Sequence, residues 1–205
     1  MKVLLINGSP KPDGNTAVAL KEMVKCFAAE GVETEIINIG NKDIHGCISC
    51  YSCKQTGKCV FDDIVNEVAP KFAEADGLVL GSPVYFASPN GTIISFLDRL
   101  FFSTSFDKAM KVGASVVVAR RGGCSASFDV LNKYFTISNM PVAPSQYWNS
   151  VHGLMPGEAQ KDAEGLQTMR TLAKNMIFLM RSIALGKEKY GLPEREIATP
   201  THFIR

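Results

Sequence analysis

Strands alternating with helices through all 205 residues predict an α/β fold, a three-layer sandwich around a five-stranded parallel sheet in the order 2-1-3-4-5. Three observations carry this prediction. Short apolar runs end in Gly-Ser-Pro or Ser-Pro turns, as strands buried on both faces do. The stretches between them place apolar residues at helical spacing. No linker, internal repeat or low-complexity tract interrupts the alternation, so one domain spans 1–205, with a cysteine-rich insertion at about 41–61.

Residues 2–6 form the first strand, closed by Gly8-Ser9-Pro10. Residues 16–30 carry Val18, Met23, Val24 and Phe27 at helical spacing, and Gly31 ends that helix. Residues 32–39 alternate and are β-branched, which predicts a second strand. Residues 41–61 show no period, and a connection of that length is a functional loop or a disordered one. Residues 62–75 are helical, with Asp62 and Asp63 near the positive N-terminal end. Residues 77–81 give a third buried strand, 92–102 a helix, and 112–119 the clearest β-run of the chain. Residues 125–138 are helical, and Val142 and Ala143 are the candidates for a fifth strand. A long final helix lies within 157–185, apolar at Leu166, Met169, Leu172, Met176, Leu179 and Ile183. Such a stripe must be buried, so association into a homodimer or homotetramer is expected.

Apolar residues make up 46% of the chain and charged residues 20%, the profile of a globular protein. The net charge of +2 and the absence of basic runs with interleaved aromatics point away from nucleic acid and from a membrane surface. No window approaches the ~18 uninterrupted apolar residues of a membrane helix. The apolar N-terminus is too short for a signal segment. A cytoplasmic protein with reduced thiols is therefore expected. Four of the six cysteines fall within residues 47–59, which makes metal or redox chemistry the better reading of that loop.

The first strand-to-helix turn reads Gly8-Ser9-Pro10-Lys11-Pro12-Asp13-Gly14-Asn15-Thr16. A helix N-terminus offers unpaired N–H groups and a positive dipole, which suit a phosphate. Ser9, Asn15 and Thr16 add hydroxyl and amide donors. Neither the dinucleotide fingerprint nor the Walker A pattern fits. The plainer reading is a turn in which Asn15 or Asp13 merely caps the helix. Beyond the third strand, Pro83-Val84-Tyr85-Phe86 presents an apolar wall and backbone donors suited to a flat heteroaromatic ring. Beyond the fourth, Arg120-Arg121-Gly122-Gly123 brings cationic donors and permits close backbone approach.

Gly8-Ser9-Pro10 with Asn15-Thr16, Gly81 to Phe86, Gly91 and Phe96-Leu97-Asp98-Arg99 resemble the NADPH-dependent FMN reductase branch of the flavodoxin-like superfamily, from Met1 to about Gly123. The resemblance implies a flavodoxin-like fold. It implies FMN, with Ser9, Lys11, Asn15 and Thr16 at its phosphate. Pro83, Val84, Tyr85 and Phe86 would then lie on one side of the ring, with Arg120, Arg121, Gly122 and Gly123 near the other. Asp98 and Arg99 look like a structural pair on their helix and stay outside the site. The segment Gln146 to Gly153 also resembles relatives that carry a cysteine cluster, and its aromatics are either a cover for a neighbouring subunit's flavin or a packed loop.

Cys47, Cys50, Cys53 and Cys59 give C-x2-C-x2-C-x5-C. Four thiolates at such spacing can fold a loop around one cubane, each taking one iron. The spacing resembles that of the iron–sulfur flavoproteins, which implies a 4Fe–4S cluster passing electrons to and from FMN. Zinc with four cysteine ligands is a second reading. Free thiols, or a redox-active Cys50–Cys53 pair, are a third. Cys26 and Cys124 read as ordinary thiols, and His45, His152 and His202 are scattered and receive no catalytic role. The function expected is an FMN-dependent oxidoreductase fed by NAD(P)H or a ferredoxin. The alternatives are a flavodoxin-like electron carrier, or a thiol- or zinc-based redox sensor without turnover.

Overall fold

The computed structural model describes residues 1–204. Six strands form in chain order: β1 (Lys2–Asn7), β2 (Glu33–Asn38), β3 (Gly77–Tyr85), β4 (Ser88–Pro89), β5 (Val112–Ala119) and β6 (Ser150–His152). The helices are α1 (Asn15–Ala29), α2 (Cys53–Thr56), α3 (Ile64–Glu74), α4 (Gly91–Ser103), α5 (Cys124–Ile137) and α6 (Ala163–Tyr190). The parallel sheet runs β2-β1-β3-β5-β6, and the two-residue β4 pairs antiparallel with the end of β3. Without that short arm the order is 2-1-3-4-5, the flavodoxin-like arrangement. Asn7 of β1 pairs with Asn38 of β2 and with Gly81 of β3, so the three strands leave the sheet at one edge.

Alternate residues of the central strands enter opposite cores, which is why the strands read as unbroken apolar runs. Val3, Leu5 and Val79 pack under α1 and α6 with Leu20, Met23, Phe27, Leu172 and Met176. Leu4, Ile6, Leu78 and Leu80 pack under α3, α4 and α5 with Phe72, Phe96, Leu97 and Phe135. Among the described residues, no helix is long and apolar enough to cross a membrane.

Three expectations change. The third strand does not close at Gly81 but runs on to Tyr85, because Ser82 and Pro83 still pair with Val117 and Val118. The fifth strand is not at Val142 and Ala143, where only a single bridge from Val142 to Gly113 forms. Ser150–His152 takes that place beside β5. A three-residue edge strand with only Val151 buried has too little apolar pattern to be read as one. The apolar stripe of α6 is already covered, since Met169, Leu172 and Met176 are fully buried against α1 and the sheet. That stripe therefore supplies no argument for association.

Candidate cofactor sites

The phosphate-type loop is fixed from below by buried asparagines. Asn7 accepts the Ser9 N–H at 3.0 Å and donates to Asn38 at 2.8 Å. Asn90 donates to the Gly8 carbonyl at 2.6 Å and accepts the Ile93 N–H at 3.0 Å, capping α4 in the same act. Helix α1 begins behind Gly14 with no side-chain cap and no acidic residue in its first turn. Asp13 turns away to pair with Lys21. The Asn15 amide donates to the Met155 carbonyl at 2.9 Å and accepts the Ala159 N–H at 3.1 Å. Neither residue caps the helix, so its first N–H groups keep their positive end free for an anion.

These loops bound one cavity of about 240 Å³, open to solvent. Ser9, Lys11, Asn15 and Thr16 line it on one side and Pro83, Val84, Tyr85 and Arg120 on the other. Eight of the twelve expected flavin-site residues thus meet, and no carboxylate stands among the lining residues. Phe86, Arg121, Gly122 and Gly123 do not line it. Phe86 is fully exposed at the tip of the β3–β4 turn, with φ 51°. Gly123 caps α5 at φ 91°, where a Cβ would meet Ala87 and Val84. The lining that sequence reasoning missed comprises Val118, Ala119 and the Gly153-Leu154-Pro156 stretch. Its signal in the sequence is the Gln146 to Gly153 segment, which ends on the lining residue Gly153.

The four loop cysteines come together as well. Cys47, Cys50, Cys53 and Cys59 line a single cup walled by Ile48, Tyr51, Val60, Phe61 and Phe102. Ser49 and Tyr51, between the first three cysteines, take left-handed φ values of 52° and 59°. Tyr51 meets Phe102 edge-on at 5.9 Å and Lys54 lies 4.3 Å above the same ring, which docks the loop on the end of α4. The Ser52 N–H and then its hydroxyl hold the Cys50 thiol below the ordinary thiol range. His45 stacks on Phe61 at 5.1 Å.

The expected Asp98–Arg99 pair does not exist. Asp98 accepts the Tyr134 hydroxyl at 2.5 Å, and Arg99 forms a two-pronged pair with Asp63 at 2.7 and 2.8 Å. Arg99 also donates from Nε to the Cys59 sulfur at 3.2 Å. The signal was present in the sequence: Ile93, Phe96, Leu97 and Leu100 define the buried face of α4, and Arg99 falls among them.

Among the described residues no three His, Cys, Asp or Glu side chains converge on one metal-ion position. A single zinc needs four donors at about 2.0–2.3 Å from one point. A cubane instead takes each thiolate on a different iron and needs a wider ring of sulfurs. The cup supplies four thiols, the number that second requirement calls for, and one of them, Cys59, accepts an N–H from Arg99. The cup and the large cavity share no lining residue. Gly91, where α4 starts, and Phe102, under the cup, are eleven residues apart, or about 17 Å along the helix.

The NADPH-dependent FMN reductase family matches residues 1–154 of the chain. An iron-sulfur flavoprotein of Methanocaldococcus jannaschii is 37% identical over 191 residues, covering 89% of this chain and 99% of its own. An iron-sulfur flavoprotein of Methanosarcina thermophila is 27% identical over 193 residues, covering 92% and 100%. Among solved structures, an NAD(P)H:quinone oxidoreductase from Methanothermobacter marburgensis superposes with a TM-score of 0.67 at 14% identity, over 86% of this chain and 97% of that one. That last likeness is one of fold.

Proposed function

Since the chain belongs to the NADPH-dependent FMN reductase family, we propose that it is an FMN-dependent oxidoreductase with a 4Fe–4S cluster as its second redox centre. The observation that carries this reading is the open cavity at the carboxyl edge of the sheet, where an uncapped helix start faces an apolar wall. FMN, when bound, supplies hydride and one-electron chemistry. The first N–H groups of α1 and the Lys11 ammonium bind its phosphate, a dianion in a cavity that no carboxylate lines. Val84 and Tyr85 flank the ring, and Arg120 offers a cation where negative charge grows on reduction. Electrons enter from NAD(P)H or a reduced ferredoxin. Cys47, Cys50, Cys53 and Cys59 hold the cluster, which the iron-sulfur flavoprotein relatives support by name. All six thiols are free, which suits the reducing cytoplasm.

The test is anaerobic purification followed by a visible spectrum, flavin extraction, and iron and acid-labile sulfide analysis. One FMN and about four irons per chain are expected, one iron to each cysteine. Reduction of the flavin is then followed by stopped flow with NADH, NADPH and reduced ferredoxin in turn. Protein that takes up no flavin on reconstitution retires the whole reading. Protein with flavin but with zinc or no metal retires the cluster.

A further inference from the structure

Arg99 is the largest fully buried side chain among the described residues, and all five of its N–H donors have acceptors. Nε reaches the Cys59 sulfur at 3.2 Å. One Nη bonds Asp63 at 2.7 Å and the His45 carbonyl at 3.4 Å. The other bonds Asp63 at 2.8 Å and the Phe61 carbonyl at 3.2 Å. His45 precedes the first cysteine, and Cys59 and Phe61 close the loop, so one side chain on a rigid helix ties both ends of the cysteine segment. Asp63 is itself anchored as the cap of α3, accepting the Val65 N–H at 3.0 Å. Asn66 holds Cys59 from the other side, accepting its N–H at 2.9 Å and donating to its carbonyl at 3.0 Å.

Asp63 alone would neutralise the guanidinium, so the sulfur contact needs a separate reason. A neutral thiol is a weak acceptor, whereas a thiolate is a good partner for a charged N–H. We propose that Arg99 is the positioning residue of the cysteine cup: it closes the loop on α4 and aims one N–H at the Cys59 sulfur, making a cluster held there easier to reduce. The inference rests on the cup being a cluster site. Adding one electron, supplied by NAD(P)H through the flavin or by ferredoxin, makes the cluster and its sulfurs more negative. A fixed N–H dipole favours that state, and hydrogen bonds to sulfur are among the terms that set such potentials. Lysine cannot replace the arrangement, because one ammonium does not span a carboxylate, two carbonyls and a sulfur in a fixed plane.

The experiment compares wild type, Arg99→Lys and the double variant Arg99→Met/Asp63→Asn after anaerobic reconstitution with FMN, iron and sulfide. The double variant removes both charges at once and so leaves no stranded carboxylate. FMN content reports the fold, iron content the loading, and a redox titration the cluster's midpoint potential. Both variants are expected to keep FMN. Their cluster is expected to be harder to reduce by about tenfold in the equilibrium, or ~59 mV for a one-electron couple, or to be lost while FMN stays. Full iron with an unchanged potential in both variants overturns the role of Arg99. Joint loss of FMN and iron in both assigns the residue to the fold alone and equally overturns it. Wild type that takes up no iron is a different result, and it sinks the cluster reading on which this inference stands.

Discussion

Gly40 follows β2, and a Cβ there would lie 2.2 Å from the Ser9 carbonyl carbon and 2.3 Å from the Gly8 oxygen. Both are backbone atoms of the phosphate-type loop and cannot rotate aside. Gly40→Ala therefore pushes that loop away from its seat, at a cost of about 1–3 kcal/mol or more. Its FMN affinity should fall roughly tenfold or further, since small misplacements of a binding group are costly. Urea unfolding and quenching of flavin fluorescence measure the two effects, and unchanged affinity would remove the loop from the FMN site. Asn90→Ala acts on the same loop from the other side. It loses the α4 cap, about 1–2 kcal/mol, and leaves the Gly8 carbonyl without its donor. Stability should drop and FMN binding weaken together; a drop in stability with normal FMN binding would make Asn90 a cap only.

Helices α1 and α6 cover one face of the sheet, and their contact includes an ion pair. Glu22 accepts from Arg170 at 2.7 Å and from Lys25 at 2.9 Å. Hydrogen bonds from Lys25 and then Arg170 hold the Glu22 carboxyl below the ordinary glutamate range. A carboxyl so depressed binds fewer protons when folded than when unfolded. Its stabilisation is complete above the ordinary glutamate range and fades as pH falls through the lower folded-state value. Lys25 is largely solvated and Arg170 partly so, and the contribution at neutral pH is no more than about 1 kcal/mol. Glu22→Gln should lower the urea midpoint at pH 7, and the difference from wild type should close in acid. A gap that widens toward low pH would reverse the assignment.

The whole molecule leaves aromatic side chains exposed at two places, the end of β3 and the segment just before β6. Tyr85, Phe86, Tyr147 and Trp148 are all exposed, and the two last rings lie 4.9 Å apart. Patches of this kind commonly mark association surfaces. A homodimer or homotetramer that covers these rings is the expected state. Trp148 is the single tryptophan, so its fluorescence reports that segment alone. Sedimentation velocity should give a species larger than 22.3 kDa, and dilution should shift the Trp148 emission to the red. A monomer that keeps its FMN would show that the flavin edge is complete without a partner.

Local pattern determined much of this protein. The β5 boundaries, the apolar turns of α1 and the loop cysteines are written in periodicity and spacing, because each depends on neighbours along the chain. The same holds for the Gly-Ser-Pro turn between β1 and α1, whereas only the structure shows that neither Asp13 nor Asn15 caps that helix. Tertiary structure decided what the crossovers bring together. Only the parallel sheet order carries the Ser9–Thr16 loop, the Pro83–Tyr85 strand end and the Gly153–Pro156 stretch to one cavity. Only packing shows that Arg99 faces Asp63 and Cys59 and not its chain neighbour Asp98. Likewise, β6 exists because β5 offers an open edge, not because Ser150–His152 prefers a strand. Periodicity carries information over one or two turns of chain, whereas these contacts join residues from 33 positions apart, as in Val117 with Ser150, to 144, as in Asn15 with Ala159.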